Sequence, residues 1–232
     1  MNKKKFSIHK AFSILFLTVI IFAVGVLIGN QTSHQKVNTV LELSQELQLQ
    51  TRGIEVQYDI LEENICLNDD VLFLTEDLFD LSEKIGFMEN TLGSENAKVQ
   101  EMKKEYFIVE AKHWLLAKKR TKECFQNNIS MNNTIVLYFY SNKGDCPRCQ
   151  QEGTVISYLH MEYEGMNVYS FDATSDSTVV TTLKQLYNIK DEMPALVIND
   201  ETHSGFIDAD EFIAIVDAQA EAIKLTKEEL EV

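Results

Sequence analysis

Proline, cysteine and basic residues are scarce in this chain of 232 residues. It has two prolines, nine glycines and four cysteines, which excludes a proline-rich or glycine-rich low-complexity protein and a small scaffold built on many disulfides. The 21 Lys and Arg residues stand against 36 Asp and Glu residues, so the formal net charge is −15. Because contacts to phosphates need a surplus of basic side chains, we expect no nucleic-acid partner.

The first 30 residues combine a basic start with an apolar run. Four lysines lie among the first ten residues, and residues 11–35 contain no Asp, Glu, Lys or Arg. Residues 11–28 are nearly all apolar, and about 20 such residues allow a helix to cross the ~30 Å hydrocarbon core of a bilayer. With the lysines on the cytoplasmic side, the pattern predicts a single-pass membrane protein. Its N-terminus would be cytoplasmic and the C-terminal domain extracytoplasmic.

A cleaved signal peptide is the alternative for this segment, because it has the same basic start. Its apolar region normally spans about 7–15 residues and ends at a small-x-small site. The run here is longer, and Ala23, Gly25 and Gly29 give a poor cleavage pattern, which favours an uncleaved anchor. Either interpretation places the remaining residues in an oxidising compartment, where disulfides form.

Residues 31–130 are predicted to be helical. Two apolar series, over 71–92 and 99–116, advance in alternating steps of three and four residues. Gly93 can end the first helix, and Ser94 can cap the second. The two stripes therefore predict an antiparallel helical hairpin.

Two of the cysteines lie at similar distances from the turn of this hairpin. Cys66 is about 27 residues before Gly93-Ser94 and Cys124 is about 30 residues after it, so the two can lie level at the open end. In an oxidising compartment this predicts a structural Cys66–Cys124 disulfide, worth about 4 kcal/mol on the chain-entropy model. Two buried free thiols are the alternative. Residues 68–70 supply a predicted break and cap before the hairpin.

After residue 130 the pattern changes to short alternating elements. Residues 134–140 form a continuous apolar, β-branched and aromatic run, which is typical of a strand buried on both faces. A loop and the motif Cys-Pro-Arg-Cys over 146–149 follow. The whole series has the order βαβαββα. Its later elements are a helix after Cys149, a strand over 167–172, a helix over 178–189, a hairpin of strands 194–198 and 205–207, and a helix over 209–224.

A buried strand, a loop, Cys-x-x-Cys opening a helix and a later Met193-Pro194 before a hairpin strand resemble the thioredoxin fold. The resemblance covers about residues 133–224, with the compact element order that is also seen in glutaredoxins. It implies an α/β thioredoxin-like domain that catalyses thiol–disulfide exchange. It also implies a cis-proline at Pro194 beside the active cysteines, and Met193 as the residue whose backbone pairs with a bound substrate peptide.

The position of the motif predicts its chemistry. Cys146 at a helix N-terminus would lie near unpaired backbone N–H groups and the positive end of the helix dipole, which favour the thiolate. Pro147 suits a first helical turn and Arg148 adds a cation, whereas Asp145 opposes the effect. We therefore expect the pKa of Cys146 to lie below the ~8.5 of a free cysteine. Cys146 would attack a substrate disulfide, and Cys149 would resolve the mixed disulfide.

Two departures from the thioredoxin pattern leave the redox direction open. Asp145 stands where thioredoxins usually carry a tryptophan, and the strand over 135–140 offers no clear counterpart of the buried acid that assists proton transfer. The expected partners are protein disulfides or dithiols and a membrane redox partner, with no cofactor and no metal.

Three other interpretations of the C-terminal part are weaker. A zinc site needs a second pair of ligands, but Cys66 and Cys124 are 58 residues apart and the histidines are scattered. Residues 200–211 match the spacing of a calcium loop with Gly205 at its sixth position, yet a predicted strand enters them, which favours a hairpin and a helix start. A redox-inactive thioredoxin-fold protein, whose helical hairpin recruits a partner, is the alternative function.

The predicted organisation thus has three parts. Residues 1–30 form a cytoplasmic tail and a transmembrane helix, residues 31–130 an extracytoplasmic helical region, and residues 131–232 the thioredoxin-like domain. The predicted function is a membrane-anchored thiol–disulfide oxidoreductase.

Overall fold

The computed structural model describes residues 8–63, 65–66, 71–124, 134–163, 165–190 and 192–230. Within them the chain is mostly helical and contains one small mixed sheet. The helices are α1 (Ile8–Glu62), α2 (Val71–Leu92), α3 (Ala97–Cys124), α4 (Cys149–Glu162), α5 (Thr178–Leu186) and α6 (Ala209–Leu230). The strands are β1 (Ile135–Tyr140), β2 (Asn167–Asp172), β3 (Ala195–Ile198) and β4 (Glu201–Ser204).

The chain forms two compact units, Met1–Glu46 and Leu47–Val232. The first unit holds the N-terminal part of α1. None of the helices in the described ranges combines the length and the apolar character that crossing a bilayer requires. The predicted transmembrane helix, the single-pass topology and the placement of the two ends on opposite sides of a membrane are therefore wrong.

The apolar run belongs to a much longer helix. This run is one section of α1, a continuous helix of 55 residues, whose sequence turns polar after Gly29. The predicted fold class is corrected accordingly: the chain is not an α/β domain behind a membrane span. It is a mostly helical protein with a small mixed sheet.

In the second unit, α2 and α3 pack against each other on either side of a tight turn. The predicted end of the first helix at Gly93 is confirmed, since Gly93 has a φ of 88° and its N–H donates to the Glu89 carbonyl at 2.8 Å. The predicted cap at Ser94 is wrong. Asn96 has that role, because its Oδ1 accepts a hydrogen bond from the Lys98 N–H at 2.9 Å. The predicted break over 68–70 lies outside the described residues.

The sheet has the order β2-β1-β3-β4. β1 pairs in parallel with β2, and β3 pairs antiparallel with both β1 and β4. The two central strands are the most apolar, as expected for strands that are covered on both faces. The pairing of Phe139 with Ala195 and of Ala195 with Ser204 places the end of β1, the start of β3 and the end of β4 at one end of the sheet.

Helices cover both faces of this sheet, and α3 is one of them. α4 and α6 pack on one face, through residues that include Ile156, Leu159, Phe212 and Val216. α3 and α5 pack on the other face, where the apolar residues of α3 in the core include Phe107, Ala111, Trp114 and Ala117. α3 and the sheet therefore share one hydrophobic core.

The β3–β4 hairpin differs from its prediction. The turn consists of Asn199 and Asp200, both with positive φ, at 48° and 73°. A two-residue turn of this kind matches the twist of paired strands, so the second strand begins at once, at Glu201 instead of Gly205. The residues that resemble a calcium loop accordingly form a strand and a helix start, where Asp208 Oδ1 accepts a hydrogen bond from the Glu211 N–H at 2.9 Å.

Candidate thiol–disulfide site

The loop between β1 and α4 carries the cysteine pair. Cys146 and Cys149 form a disulfide with their Cα atoms 5.5 Å apart. Cys146 is half-buried, whereas Cys149 is only 7% exposed. Cys146 is therefore the cysteine that a second protein can reach.

The motif lies slightly further from the helix than the sequence indicates. α4 begins at Cys149, with Arg148 as its N-cap residue, and the Cys149 N–H donates to the Cys146 carbonyl at 3.4 Å. Pro147 consequently precedes the first helical turn instead of belonging to it. Cys146 opens the turn that leads into α4, next to the helix end where unpaired N–H groups and the positive end of the dipole lie.

Asp145 is held within its own loop. The Ser141 hydroxyl donates a hydrogen bond to the Asp145 carboxylate, and the Ser141 Oγ accepts one from the Lys143 N–H at 3.2 Å. These contacts hold the loop that precedes the cysteines in place. They also give the Asp145 carboxylate a hydrogen-bond partner. Asp145 is exposed, so water also screens its charge.

Pro194 lies at the same end of the sheet as the cysteine loop. It directly precedes Ala195, which pairs with Phe139 near the end of β1, and the Met193–Pro194 peptide is cis. The Pro194 carbonyl accepts a hydrogen bond from the Gly205 N–H at 2.8 Å. Pro194 is buried and Met193 is partly exposed, so Met193 is the more accessible of the two.

Phe206 belongs to this region and is missed by the sequence analysis. Its ring centre lies 3.7 Å from the guanidinium carbon of Arg148, in a cation–π contact. Arg148 Nε also donates to Gln151 Oε1 at 3.3 Å. The only sequence signal is an aromatic residue after Gly205, and the mistaken placement of a strand over 205–207 conceals it.

Glu152 is a buried acid on α4, the helix that Cys149 begins, and its role is not predicted from the sequence. It is fully buried, its Oε2 accepts a hydrogen bond from the Ile207 N–H at 2.9 Å, and its Oε1 has no hydrogen-bond partner among the described residues. Burial raises the pKa of Glu152 to about 7, while the Ile207 N–H and the Arg148 charge act in the opposite direction. The spacing of Glu152 along the helix is the sequence signal that indicates its burial, because Cys149, Glu152, Ile156 and Leu159 form the buried stripe of α4.

Residues three apart on a helix share a face, so Glu152 lies beside Cys149 on the inner side of α4. Tyr138 fixes this end of the helix to the sheet, because its hydroxyl donates to the Cys149 carbonyl at 2.5 Å. The site thus consists of an accessible sulfur, a shielded sulfur and a buried carboxyl whose pKa is near neutral.

Cys66 and Cys124 form a second disulfide. Their Cα atoms are 5.5 Å apart across a sequence separation of 58, and Cys124 is the last residue of α3. This bridge ties the end of α3 to the residues that follow α1. Within the described ranges, no group of three or more His, Cys, Asp or Glu side chains is arranged to hold a metal ion.

Comparisons with known proteins show a weak structural likeness. No protein-family model matches the chain, and no curated protein matches it. Among solved structures, chloroplastic thioredoxin z matches at 18% sequence identity with a TM-score of 0.32, over 45% of this chain and 88% of that chain. The neighbour is a thioredoxin, and the similarity is too low to assign a family.

Proposed function

We propose that the chain is a thiol–disulfide oxidoreductase that acts through Cys146 and Cys149. The observation that carries this proposal is the unequal burial of the two bonded cysteines at the end of the sheet where Pro194 also lies. An exchange enzyme needs one sulfur that reaches a partner and one that is shielded until it resolves the intermediate.

The atoms and electrons of the thiol–disulfide exchange balance without a cofactor. In the reducing direction, the Cys146 thiolate attacks one sulfur of a substrate disulfide and releases the other as a thiolate. Cys149 then loses its proton and attacks the Cys146 Sγ, which frees the second substrate sulfur and leaves the Cys146–Cys149 disulfide. The oxidising direction is the reverse sequence, starting from the disulfide form.

The neighbouring residues modulate these steps. Arg148 and the start of α4 stabilise the Cys146 thiolate, Asp145 opposes them, and Pro147 shapes the turn between the cysteines. Glu152 accepts the proton of Cys149, because a carboxyl with a pKa of about 7 is suited to general base catalysis near neutral pH.

Protein disulfides or dithiols are the proposed substrates. Met193 and Pro194 would contact the substrate backbone, since they lie at the same end of the sheet as the cysteine loop. Cys66 and Cys124 would take no part in exchange and would stabilise the fold instead.

The test is to trap the mixed disulfide. Cys149→Ala removes the resolving sulfur, so substrates should accumulate as covalent adducts of Cys146 that reducing agents release. The matched control is the double variant Cys146→Ala/Cys149→Ala, which should give none. If Cys149→Ala forms no more adducts than the double variant, the chain does not exchange disulfides, and the redox-inactive binding protein is the better account.

A further inference from the structure

The C-terminal part of α1 has an apolar stripe on the side that faces away from the core. Leu49, Val56 and Ile60 are 74%, 59% and 61% exposed, and Gly53 between them is exposed as well. At about 3.6 residues per turn these four positions share one helix face, which is called the outer stripe below. Ile54 on the opposite face is only 1% exposed, so α1 is apolar on two opposite sides.

Contacts within the chain fix the rotation of α1 and leave the outer stripe uncovered. Glu55 and Glu62 pair with Lys112 and Lys119 on α3, at 3.1 Å and 2.9 Å. These two acids lie seven residues apart on one side of the helix, between the buried face and the outer stripe. The apolar side chains of the stripe therefore point away from α3 and remain in contact with water, which is unfavourable unless a second surface covers them.

Gly53 is an unexpected residue for the middle of this helix. Glycine in a helix interior is less stable than alanine, because it loses more conformational freedom on folding. A Cβ atom added at Gly53 would meet nothing within 4 Å, so crowding within the chain does not account for the glycine. A second helix that packs along the outer stripe would find a gap at this position, large enough to admit a branched side chain.

The spacing of the outer stripe is the same in both directions along α1. The steps from Leu49 to Gly53, Val56 and Ile60 are four, three and four residues. Two copies of this helix that run antiparallel about a two-fold axis therefore place Leu49 of each copy against Ile60 of the other. The same axis places Gly53 against Val56, so the branched side chain of one copy enters the gap of the other. A parallel pair would place Gly53 against Gly53 and leave this level empty.

The charges beside the outer stripe also favour two antiparallel copies. Arg52 and Asp59 are exposed and lie on the same edge of the stripe, one heptad apart. In an antiparallel helix pair the equivalent edges of the two helices meet, so Arg52 of each copy lies near Asp59 of the other. This gives two pairs of opposite charge, and such flanking pairs set the orientation of paired helices. In a parallel pair Arg52 would lie near Gln57, which is uncharged.

We propose that two copies of the chain associate through the outer stripe as an antiparallel helix pair. The same surface patch serves both copies, as a two-fold interface requires. The next positions of the pattern are Glu46 and Glu63, which would oppose each other as like charges and so end the interface. Such a short contact lies below the ~1,200 Å² of standard interfaces, so the association is weak and depends on concentration. It is independent of disulfide exchange.

Sedimentation equilibrium of the full chain tests this association, at protein concentrations from about 10 μM to about 1 mM. A salt concentration of about 0.15 M limits the repulsion from the net charge of −15 to distances of about 8 Å. The mean mass should rise reversibly from 26.6 kDa towards twice that value. A chain that stays monomeric over the whole range would overturn the proposal.

Two aspartate variants locate the interface. Val56→Asp places a charge at the centre of the outer stripe and should weaken the association by at least about tenfold, because the interface would bury that charge without a partner. Leu186→Asp on α5 is the matched control, since Leu186 is 61% exposed and aliphatic, and it should associate like the unmodified chain. Association that survives in Val56→Asp, or that both variants weaken equally, would place the contact elsewhere.

Exchanging the charges tests the antiparallel arrangement. Arg52→Asp brings acidic residues together in both flanking pairs, and Asp59→Arg brings basic residues together, so each variant alone should associate severalfold more weakly. An equimolar mixture of the two variants restores opposite charges in both pairs of a mixed dimer. At the same total concentration the mixture should therefore contain more dimer than either variant alone. A mixture that behaves as the average of the two variants would contradict the antiparallel pair.

Discussion

The guanidinium carbon of Arg148 lies 3.7 Å from the centre of the Phe206 ring. This contact joins the start of α4 to the segment between β4 and α6. The hydrogen bond from the Ile207 N–H to Glu152 joins the same two parts at 2.9 Å. The cysteine motif and the residues after β4 are thus held together by one exposed contact and one buried contact.

The first prediction concerns the charge of Arg148. In the reduced protein, Arg148→Ala should raise the pKa of Cys146 by a fraction of a unit to about one unit, because a nearby cation stabilises the thiolate. The measurement is the pH dependence of the alkylation rate of Cys146. Arg148→Lys, which keeps the charge, should change this pKa less, and an unchanged pKa in Arg148→Ala would mean that the guanidinium does not act on Cys146.

The second prediction concerns Glu152 as the proton acceptor. Below a pH of about 7 its carboxyl is protonated, so the resolving step by Cys149 should be slow there and should accelerate as the pH rises through that value. Glu152→Gln should slow resolution and remove this inflection. Stopped-flow measurement of mixed-disulfide decay gives both quantities, and an inflection that survives in Glu152→Gln belongs to a different group.

The same carboxyl makes stability depend on pH. Its pKa is raised from 4.5 to about 7, so the folded state binds more protons than the unfolded state between these values. Its contribution to the free energy of unfolding is greatest below about pH 4.5 and is lost as the pH rises through about 7. Glu152→Gln should flatten this part of the stability profile in denaturant titrations.

The third prediction concerns the buried ion pair between α3 and β2. Lys103 and Asp172 have side chains that are 4% and 5% exposed. Lys103→Met leaves the Asp172 charge buried without this partner and should lower the free energy of unfolding by about 3–5 kcal/mol. Adding Asp172→Asn should recover part of the loss, and urea unfolding of both variants measures it. Equal stabilities of the two variants would show that no buried charge had been left uncompensated.

The fourth prediction separates the two disulfides. Removing the Cys66–Cys124 bridge by Cys66→Ala/Cys124→Ala should lower the free energy of unfolding by about 4 kcal/mol, because the bridge closes a long loop. Substrate trapping by Cys146 should be unchanged in this background. Loss of trapping in a folded protein would mean that the bridge takes part in exchange.

Local patterns in the sequence locate most of the C-terminal elements. The apolar run over 134–140 predicts β1, and the helical spacing after Cys149 predicts α4, because burial on two faces and on one face leave different periods. The motif over 146–149 identifies the cysteine pair. These features depend on neighbouring residues alone.

The features that are predicted wrongly or missed depend on contacts between distant residues or on backbone conformation, which local sequence patterns do not reveal. Glu152 is an acidic residue on a buried stripe of α4, where its carboxyl accepts a hydrogen bond from the distant Ile207 N–H. The turn at Asn199-Asp200 is missed because both residues adopt positive φ without a glycine. The apolar run over 11–28 predicts a membrane span, but no helix among the described residues has the length and apolar character that a span requires.

The reduction potential of the Cys146–Cys149 couple tests the central claim most directly. Equilibration with glutathione and dithiothreitol buffers, followed by alkylation and mass spectrometry of this pair, gives the value. An exchange enzyme should lie between about −120 and −270 mV, the range of known thiol–disulfide oxidoreductases. A potential below about −300 mV, which is typical of structural disulfides, would contradict the account.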